Sequence, residues 1–534
     1  MKNIFGAFFK KKAENLPIVR NILSKSGSED LSANLSANLK KLKQALMKAD
    51  DVVIREFSMG ADDEIPAALI YIEGMADTNI LFGQILKPSM MEVRQITEGK
   101  EWKQKDLLGT VKRMLTAGEI EEITTWDEAL SSVLAGITLL FVDGSKTALT
   151  IDATGWEHRA VEQPVSQAVV RGSYDAFGES ARININLVRR RLRDPNLKVE
   201  IQRLGRRSRT DVALLYIDDI IDPDVLAEAR KRLESIDMDS ITDSSYIEQL
   251  ITDAWWSVIS SSEETERPDQ VVEGLLDGQF AIISDNSPFA LLAPISLNNL
   301  LMTSEDYYLP WVSATLMRLI RAIGLLIATV LPAVFIALVA YHPQMLPTDL
   351  ALSIAASRSV IPFPVVTEAF ILELALELLR EASVRMPGPL GQAIAIVGGL
   401  IIGEAAVSAG IVSPAMIIVV ALTAIATFSV PTYSLSIAVR HLRFLLMVLG
   451  ALMGLFGVAV GMLAILTHLA CLKSFGVSML SPYSPLRVRD LRDTLVRFPW
   501  TAMKHRPLHM RTRDTERLTH RPHAKVKGDT AGET

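Results

Sequence analysis

The stretch 364–386 of this 534-residue chain, PVVTEAFILELALELLREASVRM, places Glu368, Glu373, Glu377, Arg380 and Glu381 between apolar segments long enough to cross a bilayer. Ionised groups are expensive at membrane depth. Carboxylates there point to a water-filled path, an ion site or a protein contact. At about 100° per residue, Glu373, Glu377, Arg380 and Glu381 share one arc of a helix, and Glu368 lies nearly opposite. Glu377 can reach Arg380, and Glu381 can reach Arg385. Another acid, Glu404, stands alone in the small-residue run GGLIIGEAAVSAG (398–410). Its carboxyl is either protonated and hydrogen-bonded between helices, or it meets water or a cation. Glu373, Glu377, Glu381 and Glu404 are therefore candidate pore or ion-path residues. Glu368, Arg380 and Arg385 are candidates for gating or salt bridges.

The elements that must position these groups are apolar helices. Ala322–Tyr341 is long enough to span, with Arg318 and Arg321 at its start, Trp311, Tyr307 and Tyr308 suited to an interfacial belt, and Pro332 expected to kink it. Leu390–Ile411 and Pro414–Val430 read as two more spans joined by a short turn at Ser413. Leu442–Leu472 is long for one bilayer and is expected to tilt. Its Gly450, Gly454, Gly457 and Gly461 permit close helix approach. Prolines at 362, 364, 387 and 389 box the glutamate helix, which reads as a re-entrant, interfacial or pore-facing element. Arg318, Arg321 and the basic tail all favour the cytoplasmic side. That requires an even number of spans, so four spans plus one non-crossing helix is the expectation. Its cost is that Arg380, Arg385, Arg440 and Arg443 fall on the far side.

Hydrophobic residues make up 49% of the chain and mean hydropathy is +0.26, high for a purely soluble protein. Charge is uneven: residues 1–310 carry roughly fourteen excess negative charges, and the tail from Lys473 about seven excess positive ones. Residues 40–310 contain a weak repeat. Gly60, ALIYIE with Tyr71, and Asp77 recur about 145 residues on as Gly205, ALLYID with Tyr216, and Asp222. The segments 126–152 and 268–294 share a helix–glycine–strand–turn–strand layout, with turns at Asp143-Gly144 and Asp285-Asn286. The expected architecture is an α/β N-terminal soluble region of two similar subdomains, followed by an all-α polytopic membrane domain. Its parts are a basic N-terminus and linker (1–39, with a tandem SANL), subdomain 1 (40–152), a helical connector (153–194), subdomain 2 (195–310), the transmembrane domain (311–475) and a basic C-terminal tail (476–534). The connector's basic cluster, Arg189, Arg190, Arg191 and Arg193, reads as a solvated face or a subunit contact. Nucleic acid is disfavoured because the surrounding domain is acidic.

Other chemistry is poorly supported. The N-terminus MKNIFGAFFKKK has too short an apolar run for a signal peptide. GSKT (144–147) lacks the upstream glycine of a phosphate loop, and no dinucleotide, zinc-protease or serine-hydrolase motif is found. One cysteine, Cys471, rules out an internal disulfide and a cysteine-based zinc site. Histidines 505, 509, 520 and 523 in the tail read as solvated. No enzyme, metal or cofactor is expected.

Several long segments resemble the A subunit of the germinant receptors of endospore-forming bacteria, the GerA family. They are VVRGSYDAFGESARININLVRRRLRDPNLKVE (169–200), GRRSRTDVALLYI (205–217), ERPDQVVEGLLDGQFAIISDNSPFALLAP (266–294), SEDYY (304–308), 361–417 and FSVP (428–431). The resemblance covers about 125 to 500. It implies a multipass protein of the spore inner membrane, with the N-terminal region and C-terminal tail on the core side. Its partners would be a transporter-like B subunit that senses germinant and a lipoprotein C subunit. It also implies self-association, as a pentamer, around a path for monovalent cations within membrane lipid. The family pattern has glutamine where Glu404 stands. Two classes of function remain open: a nutrient-gated cation channel subunit, or a non-conducting scaffold that couples a sensor to a separate channel. In the second class the glutamates would pair with partner arginines.

Overall fold

The computed structural model of the protein describes residues 29–59, 65–92, 104–115, 119–155, 164, 167, 169–385 and 403–518. The basic N-terminus, most of the expected span 390–411, Gly60, and His520 and His523 lie outside these residues. The described chain forms two α/β lobes and a helical bundle.

The first lobe contains α1 (Leu35–Ala45), β1 (Val52–Met59), β2 (Ile65–Ile72), α2 (Gln104–Met114), β3 (Ile120–Ile123), α3 (Trp126–Leu134), β4 (Thr138–Val142) and β5 (Ala148–Ile151). Its antiparallel sheet runs β1-β2-β4-β5-β3. The second lobe contains α4 (Ala181–Arg191), β6 (Leu197–Leu204), β7 (Thr210–Ile217), α5 (Pro223–Glu234), α6 (Ser244–Ile251), β8 (Glu263–Thr265), α7 (Pro268–Leu276), β9 (Phe280–Ser284) and β10 (Ala290–Ala293). Its sheet runs β6-β7-β9-β10-β8, the same path through the corresponding strands. β1 and β6, and likewise β2 and β7, start 145 residues apart, which is the spacing of the sequence repeat.

The duplication extends to single hydrogen bonds. Asp143 accepts from the backbone N–H of Leu35 at 2.9 Å, and Asp285 from that of Ala181 at 3.0 Å. Each hairpin thus caps the first helix of its own lobe. The turns use positive φ at Gly144 (81°) and Asn286 (66°), as short hairpin loops require. Buried Asn38 and Asn184 each close a loop six residues upstream, at Ser32 and Gly178, through a donor and an acceptor.

Two local expectations change. The second SANL copy is helix rather than linker: Leu31, Leu35, Leu39, Leu42 and Leu46 form a buried stripe against the first sheet. Helix α4, assigned to a connector in the sequence, packs Ile185, Leu187 and Val188 into the core of the second sheet, as α1 does on the first.

The bundle contains α8 (Trp311–Tyr341), α9 (Thr348–Arg358), α10 (Val365–Arg385), α11 (Pro414–Phe428) and α12 (Tyr433–Cys471). α8 and α12 are long and apolar enough to cross a bilayer. α12 is not one tilted rod. Gly454 takes φ 62° and ψ −145°, and the chain folds back there. A Cβ at Gly457 would lie 2.1 Å from the carbonyl oxygen of Leu449, and one at Gly461 would lie 2.5 Å from the Leu446 side chain. Along a continuous helix Leu449 and Gly457 would sit about 12 Å apart. Arms 433–453 and 455–471 therefore form a tight antiparallel hairpin, its tip against Tyr341 and His342.

The second arm ends beside the second lobe. Ser474 accepts from Ile295 N–H at 3.0 Å and donates to Ser261 O at 2.6 Å. The segment after it folds onto the lobe instead of hanging free. Leu297 N–H donates to Met479 O at 2.8 Å, and Arg513 N–H to Ile220 O at 2.9 Å. His509, read as solvated, is nearly buried with Nδ1 3.0 Å from the Asp490 carboxylate.

Candidate functional site

The glutamate helix α10 is 21 residues long and starts after the Ile361-Pro362-Phe363-Pro364 break. At 1.5 Å per residue it is about 31 Å, a bilayer's hydrocarbon thickness. Its carboxylates form a ladder with arginines of other helices. Nearest its start, Glu368 is fully buried. Oε2 accepts from both the N–H and the hydroxyl of Ser413, each at 3.0 Å, and Oε1 lies 2.7 Å from Arg358 Nη1. Ser413 is also the N-cap of α11, so this carboxylate ties α9, α10 and α11 together.

The middle rung is Glu373 with Arg443, both fully buried, at 2.6 Å. Arg443 also donates to Ala328 O of α8 (2.9 Å) and Thr427 Oγ1 of α11 (2.8 Å). One guanidinium thus joins four helices. At the third rung Glu377 bridges Arg380 (3.1 Å) and Arg440 (3.0 Å), and Arg380 lies over the Phe428 ring. Glu373 and Glu377 pair with Arg443 and Arg440 in reverse order, so α10 runs antiparallel to the first arm of α12.

The ladder answers the cost noted for Arg440 and Arg443: they are compensated inside the bundle. It also separates the candidates. Glu368, Glu373 and Glu377 face arginines of the same chain, whereas Glu381 and Glu404 are exposed on the bundle surface. Glu377 reaches Arg380 as the helical spacing predicts. The Arg385 side chain lies outside the described residues. Arg358 and Thr427 were not singled out in the sequence, and Ser413 only as a turn. A buried acid needs a cation, and that rule named the class of partner but not its position.

The basic cluster on α4 is dispersed. Arg189 is fully buried and grips Asp51 of the first lobe in bidentate fashion (2.7 and 2.8 Å), with a third bond to Leu197 O. It is a clasp between lobes, not a solvated or intersubunit face, because Asp51 reaches it first, while the 48–50 backbone pairs with Val199. Arg191 pairs with Asp175 at 2.6 Å. Arg190 and Arg193 are exposed. Arg318 and Arg321, read as membrane flanks, converge on the buried Asp306 of SEDYY, and Arg318 also bonds Asp493 of the tail at 2.8 Å.

The second lobe holds an acid cluster at β8. Burial pushes the Glu263 carboxyl up to about 8, opposed by a bond from Gln270. Glu264 rises to about 8 through burial and the neighbouring Glu248. The folded lobe therefore holds protons that the unfolded chain has released. Stability is greatest below the ordinary carboxylate value of 4.5 and falls as pH rises towards about 8. Glu263→Gln keeps the Gln270 contact and removes the titration. It is expected to raise the melting temperature by a few degrees at pH 9 and to leave it unchanged at pH 4, as read from intrinsic fluorescence during heating. A variant with wild-type pH dependence would show that Glu263 is not the titrating group.

A sequence profile described as "Bacillus/Clostridium GerA spore germination protein" matches residues 40–509. The chain belongs to the GerA family. Spore germination protein KA of Bacillus subtilis (strain 168) is 41% identical over 477 residues, covering 89% of this chain and 87% of that protein. Spore germination protein GerLA of Bacillus cereus is 37% identical over 486 residues, covering 91% of this chain and 97% of that one. The crystal structure of the N-terminal domain of the A subunit of the Bacillus megaterium spore germinant receptor GerK3 shares 34% identity and aligns with a TM-score of 0.40. The alignment covers 50% of this chain and 97% of that domain. The sequence relatives of this GerA protein are spore germination proteins, which supports a germinant-receptor role for it.

Proposed function

We propose that the chain is the A subunit of a spore germinant receptor and that copies of it, five by family resemblance, enclose a path for monovalent cations. A transporter-like B subunit senses the nutrient, a lipoprotein C subunit completes the receptor, and opening releases ions across the spore inner membrane. The observation that carries this reading is the distribution of acids. Glu368, Glu373 and Glu377 pair with arginines of the same protomer, and the side chains of Glu381 and Glu404 are exposed on the bundle surface. An acid there faces lipid at high cost, or faces water enclosed by neighbouring copies. Acids beside a pore concentrate cations. The fold-back at Gly454 gives the bundle an extra crossing and returns the tail to the side of the lobes. We read that side as the core, a reading that the basic tail and the arginines at the start of α8 support.

The scaffold reading expects the glutamates to pair with a partner's arginines; Glu373 and Glu377 are engaged, but by arginines of the same chain, which supports that reading only in keeping them from a pore. Cation efflux from liposomes containing the reconstituted receptor separates the two. Combined Glu381→Gln and Glu404→Gln is expected to lower nutrient-triggered efflux several-fold at low salt while the subunits still copurify. Glu404→Gln by itself is expected to leave germination intact and to change no more than its pH profile. Undiminished efflux from the double variant favours the scaffold.

A further inference from the structure

We propose that the loop after α6 in the second lobe is a membrane-surface anchor that inserts Trp255 and Trp256 into the lipid headgroup boundary. The proposal rests on the bundle being in a bilayer and not on conduction. Trp255 is 87% exposed and Trp256 64%, extreme values for the largest apolar side chain. Val258 beside them, and Tyr246 and Leu250 one turn apart on α6, are also exposed and extend the patch.

The loop's position argues for lipid as the occupant. Trp256 packs on His468 with ring centroids 4.7 Å apart, and Ser257 Oγ lies 3.0 Å from His468 Nε2. His468 stands one helical turn before the end of the second arm of α12 at Cys471. The outer face of that arm is apolar and open at Leu463 and Leu466, so the tryptophan patch continues a surface that faces hydrocarbon. Ile259 is buried in the bundle's own apolar cluster and fixes the loop at this height.

Charge fits as well. Residues 254–262 contain no ionisable group. Asp253, the nearest acid, is turned inward, accepting from Arg232 at 2.6 Å and Phe475 N–H at 3.0 Å. Indole at this depth buries its ring among acyl chains while its N–H bonds to lipid carbonyls, which is why tryptophan collects at bilayer boundaries.

The test uses the full-length protein in vesicles of phosphatidylethanolamine and phosphatidylglycerol. A spin label is placed at Trp255→Cys, in a Cys471→Ser background, and its collisions with oxygen and with a nickel chelate are compared. The oxygen-to-nickel ratio is expected to be several times that of a label at Met47, an exposed site of the first lobe. A Leu463→Cys label reports the bundle itself. A lipid-like Leu463 site with a water-like Trp255 site overturns the anchor but leaves the membrane reading standing. A water-like Leu463 site overturns both. Shielding of the Trp255 label from both colliders means that a protein surface, such as a second copy of the chain, covers the loop, which also overturns it. In the unsubstituted protein, brominated lipid is expected to quench tryptophan fluorescence, and Trp255→Phe with Trp256→Phe is expected to lower that quenching to the share of Trp311 at the start of α8; undiminished quenching overturns the anchor.

Discussion

Arg443→Met is expected to destabilise the folded bundle by about 3–5 kcal/mol, the range for removing one partner of a buried ion pair. Methionine keeps much of the apolar stem volume, so the loss is chiefly one of charge and hydrogen bonds. Glu373 then remains fully buried without its cation, and the acceptors Ala328 O and Thr427 Oγ1 lose their donor. Because these groups lie on three different helices, their contacts with α12 fail together. Arg443→Lys keeps the charge but cannot span three acceptors, so it is expected to fall between the two. Replacing both partners, Glu373→Leu with Arg443→Met, is expected to recover most of the loss, since two apolar groups leave nothing unpaired. Thermal unfolding of the detergent-purified protein checks the series. If Arg443→Met melts with the wild type, the rung does not hold the bundle.

Gly457→Val is expected to open the hairpin of α12. Any Cβ at 457 falls 2.1 Å from the Leu449 carbonyl oxygen and 2.8 Å from its carbon, and backbone cannot rotate away as a side chain can. The arms must separate, forfeiting their packed interface at more than the roughly 1–3 kcal/mol of ordinary overpacking. Gly461→Ala is the graded control: its Cβ meets only the ends of Leu446 and Leu449, which can shift. Cys471, the single cysteine and exposed at the end of the second arm, reports the outcome. In the native protein a membrane-impermeant maleimide is expected to label it only from the face that carries the lobes. Gly457→Val is expected to lose that one-sidedness or to be degraded. Native labelling and native melting in this variant would disprove the fold-back.

These expectations show where reading the sequence stops. The lobe duplication was visible because strand spacing and turn chemistry are local: 145 residues separate like landmarks, and Asp143-Gly144 and Asp285-Asn286 mark hairpins through their backbone preferences. That the two aspartates also cap α1 and α4 was not visible, because a cap 108 residues away leaves no trace in either segment. The leucine stripe from Leu31 to Leu46 was legible, but the Ser/Asn-rich composition around it obscured the helical period. In α12 a glycine that allows close packing and a glycine that reverses the chain look alike, and hydropathy does not dip at Gly454. The tail's histidines read as solvated because they stand in a strongly basic segment. Arg517 pairs with Asp277 of the second lobe and Arg497 donates to the backbone carbonyls of Leu309 and Tyr307, and net charge does not reveal such contacts.

By itself the sequence determined the things that depend on neighbours along the chain. These are apolar lengths sufficient to span, a helix carrying four acids between proline breaks, two α/β units of one pattern, and long segments that mark the family. Tertiary structure decided which acid meets which arginine, that Arg189 clasps two lobes, and that one long apolar run is a hairpin. The reason is physical. Helical period and turn sterics act over a few residues, whereas an ion pair such as Glu373 with Arg443 joins positions 70 residues apart. It forms only once helix packing has removed both groups from water and left each as the other's nearest opposite charge.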